Sequence, residues 1–209
     1  SIVKNLLTLL FSLFFLSSTS VFADDISDFS IEGISIGDSL LDYMTEEEIL
    51  KEIEVNKDMY QFLKEPNKYI EVYKFDNLKI YSSGLSFFIK NNQTSKYITN
   101  KNEKYIIKSI RGMINYIEDF DSCIQKRNEI ELDLSSLFSY TEKNEYTKNH
   151  RADPSGNSFI DAVNFNFNSG AQVELQCTNW EETLRIKNNF REGLNVSIDS
   201  KEITDWFLN

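Results

Sequence analysis

The feature that most constrains the fold is a strict alternation of apolar and polar residues late in the chain. Residues 163–168 alternate, Ser169-Gly170 follows, and the alternation resumes through residues 171–177. A period of two places every second side chain on one face of a strand, and a Ser-Gly pair is typical of a turn. The pattern therefore predicts a β-hairpin with one apolar face. That face is made of Val163, Phe165, Phe167, Val173, Leu175 and Cys177.

Other short runs of β-branched and aromatic residues, separated by turn residues, predict further strands. These runs cover residues 31–37, 69–75, 78–81, 85–89, 105–116 and 194–198. The runs between 69 and 116 follow one another closely, which indicates an antiparallel meander.

Helix signals stand between these runs. Thr45 and Glu48 form a capping box, which predicts a helix over residues 46–54. Asp119 or Asp121 caps a longer helix, which has Lys126, Arg127 and Glu129 largely off its apolar stripe. We expect a helical turn within residues 179–190 and a short helix after Ser200. The stripe consists of Cys123, Ile130, Leu134 and Leu137.

These elements predict an α+β fold: an antiparallel β-sheet with one long helix packed on it and short N- and C-terminal helices. Hydrophobic residues make up 41% of the chain and charged residues 26%, a balance that is typical of a folded globular protein. We expect residues 24–209 to form a single domain.

The first 23 residues carry an export pattern. Lys4 is followed by an apolar run from Leu6 to Leu16, a polar stretch and the small-residue end Val21-Phe22-Ala23. The apolar run is shorter than the roughly 20 residues that a transmembrane helix needs, and it is typical of a secretory signal. We expect residues 1–23 to be a cleaved signal peptide and the mature protein to be periplasmic or secreted, with an uncleaved anchor as the alternative.

Both cysteines of the chain are expected to point inward. Cys177 lies on the apolar face of the predicted hairpin, and Cys123 lies on the apolar stripe of the long helix. An exported chain with an even number of cysteines permits a disulfide. A Cys123–Cys177 bond would attach the helix to the hairpin and close a loop of about 55 residues, which the chain-entropy model values at roughly 4 kcal/mol. Two separate buried thiols are the alternative.

The charge balance limits the choice of partner. Thirty-three acidic side chains against 22 basic ones give a net charge of −11. Nucleic-acid affinity comes largely from Lys and Arg that neutralise phosphates, so we expect no nucleic-acid partner. We expect a small molecule or an envelope protein instead, and membrane contact only through the N-terminal segment if it is uncleaved.

Gly37-Asp38-Ser39-Leu40 spells the signature of the GDSL hydrolase superfamily, in which the serine attacks an ester. A nucleophilic serine needs a base and an orienting acid within hydrogen-bond reach. In that superfamily the base comes from a D-x-x-H pattern near the C-terminus, whereas the only histidine here, His150, has Thr147 three residues before it. We therefore predict no catalytic residue, with ester hydrolysis by Ser39 as the alternative. We interpret Asp38 and Ser39 as the cap of a short helical turn.

Residues 149–158 form the most polar, turn-rich stretch after the leader. His150, Arg151 and Asp153 stand together in it, and loops on rigid scaffolds commonly meet ligands. We predict these three as candidate binding residues, with a plain connection between elements as the alternative. Asp153, Ser155 and Asn157 lack the glycine and glutamate spacing of a calcium loop, so we predict no metal site and no cofactor.

Several segments together resemble a family of uncharacterised exported bacterial proteins: residues 31–43, 45–49, 153–158, 177–180 and 205–208. The resemblance implies export and a single domain, and it implies no activity, ligand or site residue. Because no nucleophile, base and acid can be assembled around one histidine, we expect a non-enzymatic module that binds a ligand or another protein.

Overall fold

The computed structural model describes residues 26–91 and 97–208, so the predicted signal peptide lies outside the described residues. Its strands are β1 (Ser30–Ile31), β2 (Ile34–Ser35), β3 (Tyr69–Lys74), β4 (Gly84–Lys90), β5 (Ile107–Asn115), β6 (Glu142–Asn149), β7 (Phe159–Asn166), β8 (Gln172–Asn179) and β9 (Gly193–Asp199). Its α-helices are α1 (Glu46–Asn56), α2 (Phe120–Leu137), α3 (Glu182–Asn188) and α4 (Lys201–Leu208). The predicted α+β class with an antiparallel sheet is confirmed.

Seven strands form one sheet in the order β3-β4-β5-β9-β8-β7-β6, and each strand pairs antiparallel with its neighbours. The sheet consists of two consecutive meanders, β3-β4-β5 and β6-β7-β8-β9, which meet where β5 pairs with β9. On one side α1 precedes the meander β3-β4-β5, and on the other α2 precedes β6-β7-β8-β9. The last strand of each half therefore forms the seam of the sheet.

The hydrophobic core covers one face of the sheet. The six residues of the predicted hairpin face are all buried in it, which confirms the predicted alternation. The hairpin is longer than predicted, because β7 begins at Phe159 and not at Val163. The helical turn expected within residues 179–190 is α3.

Helix α2 packs on β8 and β9 through its buried stripe. The Asp119 side chain caps it by accepting from the Ser122 amide at 3.2 Å. Cys123 and Cys177 form a disulfide with a Cα–Cα distance of 6.0 Å, which confirms the predicted bridge. The bond joins the first turn of the helix to the third strand of its own half.

The predicted stripe of α2 is wrong at two positions. Arg127 is buried, because it lies four residues after Cys123 on the same helix face, and its guanidinium forms an ion pair with Asp161 of β7. Leu137 is exposed, and the following residue, Phe138, is buried in its place. Periodicity alone had placed the charged residue outside the interface, whereas a carboxylate on the facing strand makes its burial tolerable.

Helix α1 begins as its sequence predicts. The Thr45 hydroxyl accepts from the Glu48 amide at 3.3 Å, and the Glu48 carboxylate accepts from the Thr45 amide at 2.8 Å. This reciprocal pair satisfies two backbone donors that have no partner within the helix.

Two predicted strands are wrong for one common reason. The segment 31–37 turns back on itself, because Glu32 and Gly33 both adopt positive φ angles, of 55° and 80°. The turn aims the Glu32 carboxylate at residues 79–81, where Oε1 accepts from three successive backbone amides at 2.6–3.1 Å. Those amides cannot also serve a strand ladder, so residues 78–81 form an irregular connection.

Strand β6 is absent from the sequence prediction. Apart from Tyr146, its residues are exposed, so the strand shows no apolar alternation. It forms an edge of the sheet and is held by its regular pairing with β7. Among the described residues, no helix is long and apolar enough to cross a membrane.

Candidate functional site

The second face of the sheet, opposite the core, carries most of the polar side chains of the central strands. The segment 57–68 and helix α4 cover one end of this face. Tyr60, Trp206 and Phe207 pack there against Phe88 of β4, with ring centroids 5.4–5.8 Å from the Phe88 ring. The Trp206 indole N–H donates to the Glu65 carbonyl at 2.8 Å, which ties the C-terminal helix to the segment.

A cavity of about 540 Å³ opens beside this aromatic cover. Its apolar lining is Phe62 and Leu63 from the segment, Phe207 from α4, and Ile160 from β7. The polar lining comes from the end of β6 and the loop after it: Lys148, Asn149, His150 and Arg151, with Ala152 beside them. Segment 57–68, helix α4 and the end of β6 therefore line one cavity, although they are far apart in sequence.

The lining of the cavity contains two cations and no carboxylate. Lys148 Nζ lies 4.5 Å from the centroid of the Tyr146 ring, a cation–π distance. Within the described ranges neither Lys148 nor Arg151 has a carboxylate within 4.0 Å of its charged nitrogens. In a chain with a net charge of −11, this cavity is locally cationic.

His150 is held as a neutral ring. Its ring centroid lies 4.0 Å from that of Trp180, and its Nδ1 accepts from the Ala152 amide at 3.2 Å. Burial and the nearby Lys148 charge lower the pKa of His150 below its usual value of 6.5. At neutral pH the proton therefore sits on Nε2, and the imidazole can donate one hydrogen bond.

Asp153 does not line the cavity. Its Oδ1 accepts from the amide and hydroxyl of Ser155, and its Oδ2 accepts from the amide and hydroxyl of Ser158, at 2.6–2.8 Å. These bonds hold the pKa of Asp153 well below its usual value. The Ser158 hydroxyl in turn accepts from the Glu181 amide at 2.8 Å. Of the three predicted binding residues, His150 and Arg151 thus lie in the cavity, and Asp153 braces their loop.

Sequence reasoning missed Lys148 and the apolar lining. Lys148 stands two residues after Tyr146 on the same face of β6, but the strand itself was not predicted. Phe62, Leu63 and Phe207 are far from the loop in sequence, and no local pattern links them to it. The exposed Phe62, with 69% of its surface open to solvent, is a signal that only the folded chain reveals.

The buried Glu71 carboxylate holds the segment 57–68, which carries Phe62 and Leu63, through a hydrogen bond with Tyr60. The Glu71 carboxylate is 1% exposed and accepts from the Tyr60 hydroxyl at 2.5 Å and the Tyr73 hydroxyl at 2.8 Å. Arg111 Nη1 lies 3.5 Å from its other oxygen. Because every oxygen of this buried carboxylate has a donor, we assign the group a structural role.

The Ser39 hydroxyl is also engaged. It is 3% exposed, donates to the Lys104 carbonyl at 2.8 Å and accepts from the Leu41 amide at 3.4 Å. The latter contact caps the short turn Leu40–Asp42, as predicted for Ser39. The Asp38 carboxylate does not share the cap, because it accepts from the Ser35 amide and the Tyr43 hydroxyl. These contacts give Ser39 a structural role, and His150 forms none of them.

Two carboxyl groups farther along the second face are half-buried. Glu174 accepts from the Tyr146 hydroxyl at 2.8 Å, and Asp199 accepts from Ser109 at 2.5 Å and Ser197 at 2.9 Å. Burial raises the pKa of both Glu174 and Asp199 above their usual values. Tyr146, the partner of Glu174, also contacts Lys148 of the cavity lining through its ring.

Glu174→Gln is expected to change how stability depends on pH. The folded protein binds the Glu174 proton more tightly than the unfolded chain does. The protonated carboxyl group therefore contributes stability at acid pH, and this contribution is lost as the pH rises above about 4.5, the usual pKa of glutamate. The amide cannot ionise, yet it still accepts from Tyr146. The free energy of unfolding of the variant, measured with urea, should therefore rise relative to that of the wild type as the pH increases from acid to neutral.

The control for this prediction is Glu142→Gln. Glu142 is an exposed residue on the same sheet face, at the far end of β6. Its substitution should leave the pH dependence unchanged. Parallel curves for the Glu174 variant and the wild type would contradict the effect of burial.

The described residues contain no group of three or more His, Cys, Asp or Glu side chains arranged to hold a metal ion. No protein-family profile, no curated protein and no solved structure matches this chain. The site is therefore interpreted from its own geometry.

Proposed function

We propose that the protein is an exported, non-enzymatic module that binds a small molecule in the cavity between α4 and the end of β6. The observation that carries the proposal is one concave space of about 540 Å³ that combines four large apolar side chains with two cations, neither of which has a carboxylate of the described residues within 4.0 Å. Binding sites for small molecules are typically concave, mostly apolar and equipped with a few convergent polar groups.

Several observations support a binding role over catalysis. The one histidine of the chain uses Nδ1 to accept from its own loop, and the Ser39 hydroxyl donates to a backbone carbonyl in another part of the fold. A hydrolase would need these groups to meet. Among the residues that the structure describes, the cavity lining includes no serine, cysteine or carboxylate that could act as a nucleophile.

Export to the periplasm or beyond belongs to the same proposal. The buried Cys123–Cys177 disulfide supports it, because cytosolic thiols are generally kept reduced. The N-terminal apolar run and the resemblance to exported bacterial proteins also support it. The accompanying architecture is one long helix fixed across the sheet, with short helices towards the two ends of the domain.

The test uses two fluorescent probes that share one body, 8-anilinonaphthalene-1-sulfonate and its uncharged parent N-phenyl-1-naphthylamine. At least one of them should bind the folded protein at a single saturable site and raise its unfolding temperature by mass action. Near-ultraviolet circular dichroism should stay unchanged, which separates cavity binding from binding to a loosened core.

Ala152→Trp is the variant that should block the cavity. Ala152 lines the cavity and is exposed, so an indole at this position should fill the space and abolish probe binding. Ser136→Trp, on the exposed surface of α2, should bind as the wild type does. Equal binding by both variants, or labelling of Ser39 by a serine-directed phosphonate, would contradict the proposal.

A further inference from the structure

We infer that the ligand of this cavity is an amphipathic organic anion, whose acidic group pairs with Lys148 and Arg151 and whose apolar body lies against Phe62, Ile160 and Phe207. The inference rests on the proposed binding function and adds the chemical class of the ligand.

The lining of the cavity carries positive charge. Lys148 and Arg151 reach the same cavity from a strand end and the loop that follows it. Asp153 is the acidic residue closest to Arg151 in sequence, and its carboxylate accepts four hydrogen bonds, from Ser155 and Ser158. That carboxylate is committed to its own loop. A ligand anion therefore meets two cations without displacing an existing ion pair.

The neutral imidazole of His150 lies between the two cations in sequence. His150 Nδ1 is occupied by the Ala152 amide, and the ring is held against Trp180. Its Nε2–H is thus a donor, and a donor suits an oxygen of the ligand and not an ammonium group. All three polar residues favour an acceptor that carries negative charge.

The cavity also has an apolar wall, which is formed by Phe62, Ile160 and Phe207. Phe207 is fixed by its contacts with Tyr60 and Phe88, at 5.8 and 5.4 Å between centroids, whereas Phe62 remains 69% exposed. An inorganic anion would leave this wall in water. A ligand with an aromatic or branched aliphatic body would cover it, and burial of apolar area favours binding.

The probe pair tests the class directly, because its members differ only by a sulfonate group. The wild type should bind the sulfonate at least about tenfold more tightly than the uncharged parent, as expected for a charge-assisted contact in a partly enclosed site. Lys148→Met and Arg151→Met keep much of the aliphatic stem. The double variant should lose about tenfold in affinity for the sulfonate and stay within about twofold for the parent.

Lys51→Met is the control for the loss of a positive charge elsewhere on the surface. Lys51 is exposed on α1, outside the cavity, so its loss should leave both affinities unchanged. Equal affinity of the wild type for the two probes, or equal losses for both probes in the double variant, would overturn the anionic class and leave the binding function standing. Failure of both probes to bind would remove the binding function itself.

A final arm distinguishes a free ligand from a membrane headgroup with the same chemistry. The protein should remain in the supernatant when vesicles of phosphatidylglycerol are sedimented. Pelleting that depends on Lys148 and Arg151 would overturn the assignment to a free small molecule.

Discussion

Reduction of the Cys123–Cys177 bond is expected to lower the free energy of unfolding by about 4 kcal/mol. The two residues lie 54 positions apart, and the oxidised unfolded chain must keep that loop closed. Reduction releases the constraint and raises the entropy of the unfolded state. Because small domains are typically stable by only about 5–15 kcal/mol, this loss is a large fraction of the total.

Urea unfolding of the oxidised and reduced protein measures the effect, and mass spectrometry should show a gain of two hydrogen atoms per molecule on reduction. The Cys123→Ala, Cys177→Ala double variant is the control. It should unfold at a lower urea concentration than the oxidised wild type, and added reductant should not change its midpoint. An unchanged midpoint for the reduced wild type would contradict the prediction.

Gly193→Ala is expected to destabilise the protein by at least about 3 kcal/mol. Gly193 begins β9 at the seam of the sheet and pairs with Asn115. Its φ is +142°, and an added Cβ would lie 2.2 Å from the Ile114 carbonyl oxygen and 2.6 Å from the Tyr116 backbone nitrogen. Both are backbone atoms at the end of a central strand, so relief requires the strands to separate.

Gly33→Ala separates this steric effect from backbone strain. Gly33 also has a positive φ, of +80°, but apart from its two chain neighbours no described residue has a heavy atom within 4 Å of an added Cβ. The substitution should therefore cost only about 1 kcal/mol. Urea unfolding of both variants provides the comparison, and equal losses would show that the seam tolerates a side chain at position 193.

Sequence reasoning succeeded where one buried face imposes a period. The alternation of residues 163–177 predicted the hairpin and its inward side chains, and the stripe of α2 brought Cys123 to the same interior as Cys177. The bridge followed because each thiol could be assigned to a face before the faces were put together. The Thr45–Glu48 capping box was equally readable, since both of its hydrogen bonds are local.

The failures have a shared cause, which is a partner distant in sequence. Residues 78–81 look like a strand, but the Glu32 carboxylate takes their amides. Arg127 looks like a surface residue, but Asp161 on the facing strand neutralises it. Strand β6 looks like a polar loop, because an exposed edge strand needs no apolar alternation and depends on the pairing offered by β7.

The candidate site divides along the same line. Residues 149–158 could be marked from their local polarity, and His150 and Arg151 do reach the cavity. The sequence could not show that Asp153 lies outside the cavity lining, because the four hydrogen bonds of its carboxylate depend on the bend of the loop and not on its composition.

The amino-acid order by itself determined the hairpin of residues 163–177, the start of α1, the inward direction of both cysteines and the polar loop, because each depends on neighbours within a few residues. Only the tertiary structure decided that the loop faces Phe62 and Phe207. That meeting depends on the packing of segment 57–68 and α4 on the second face of the sheet, through contacts between residues far apart in sequence.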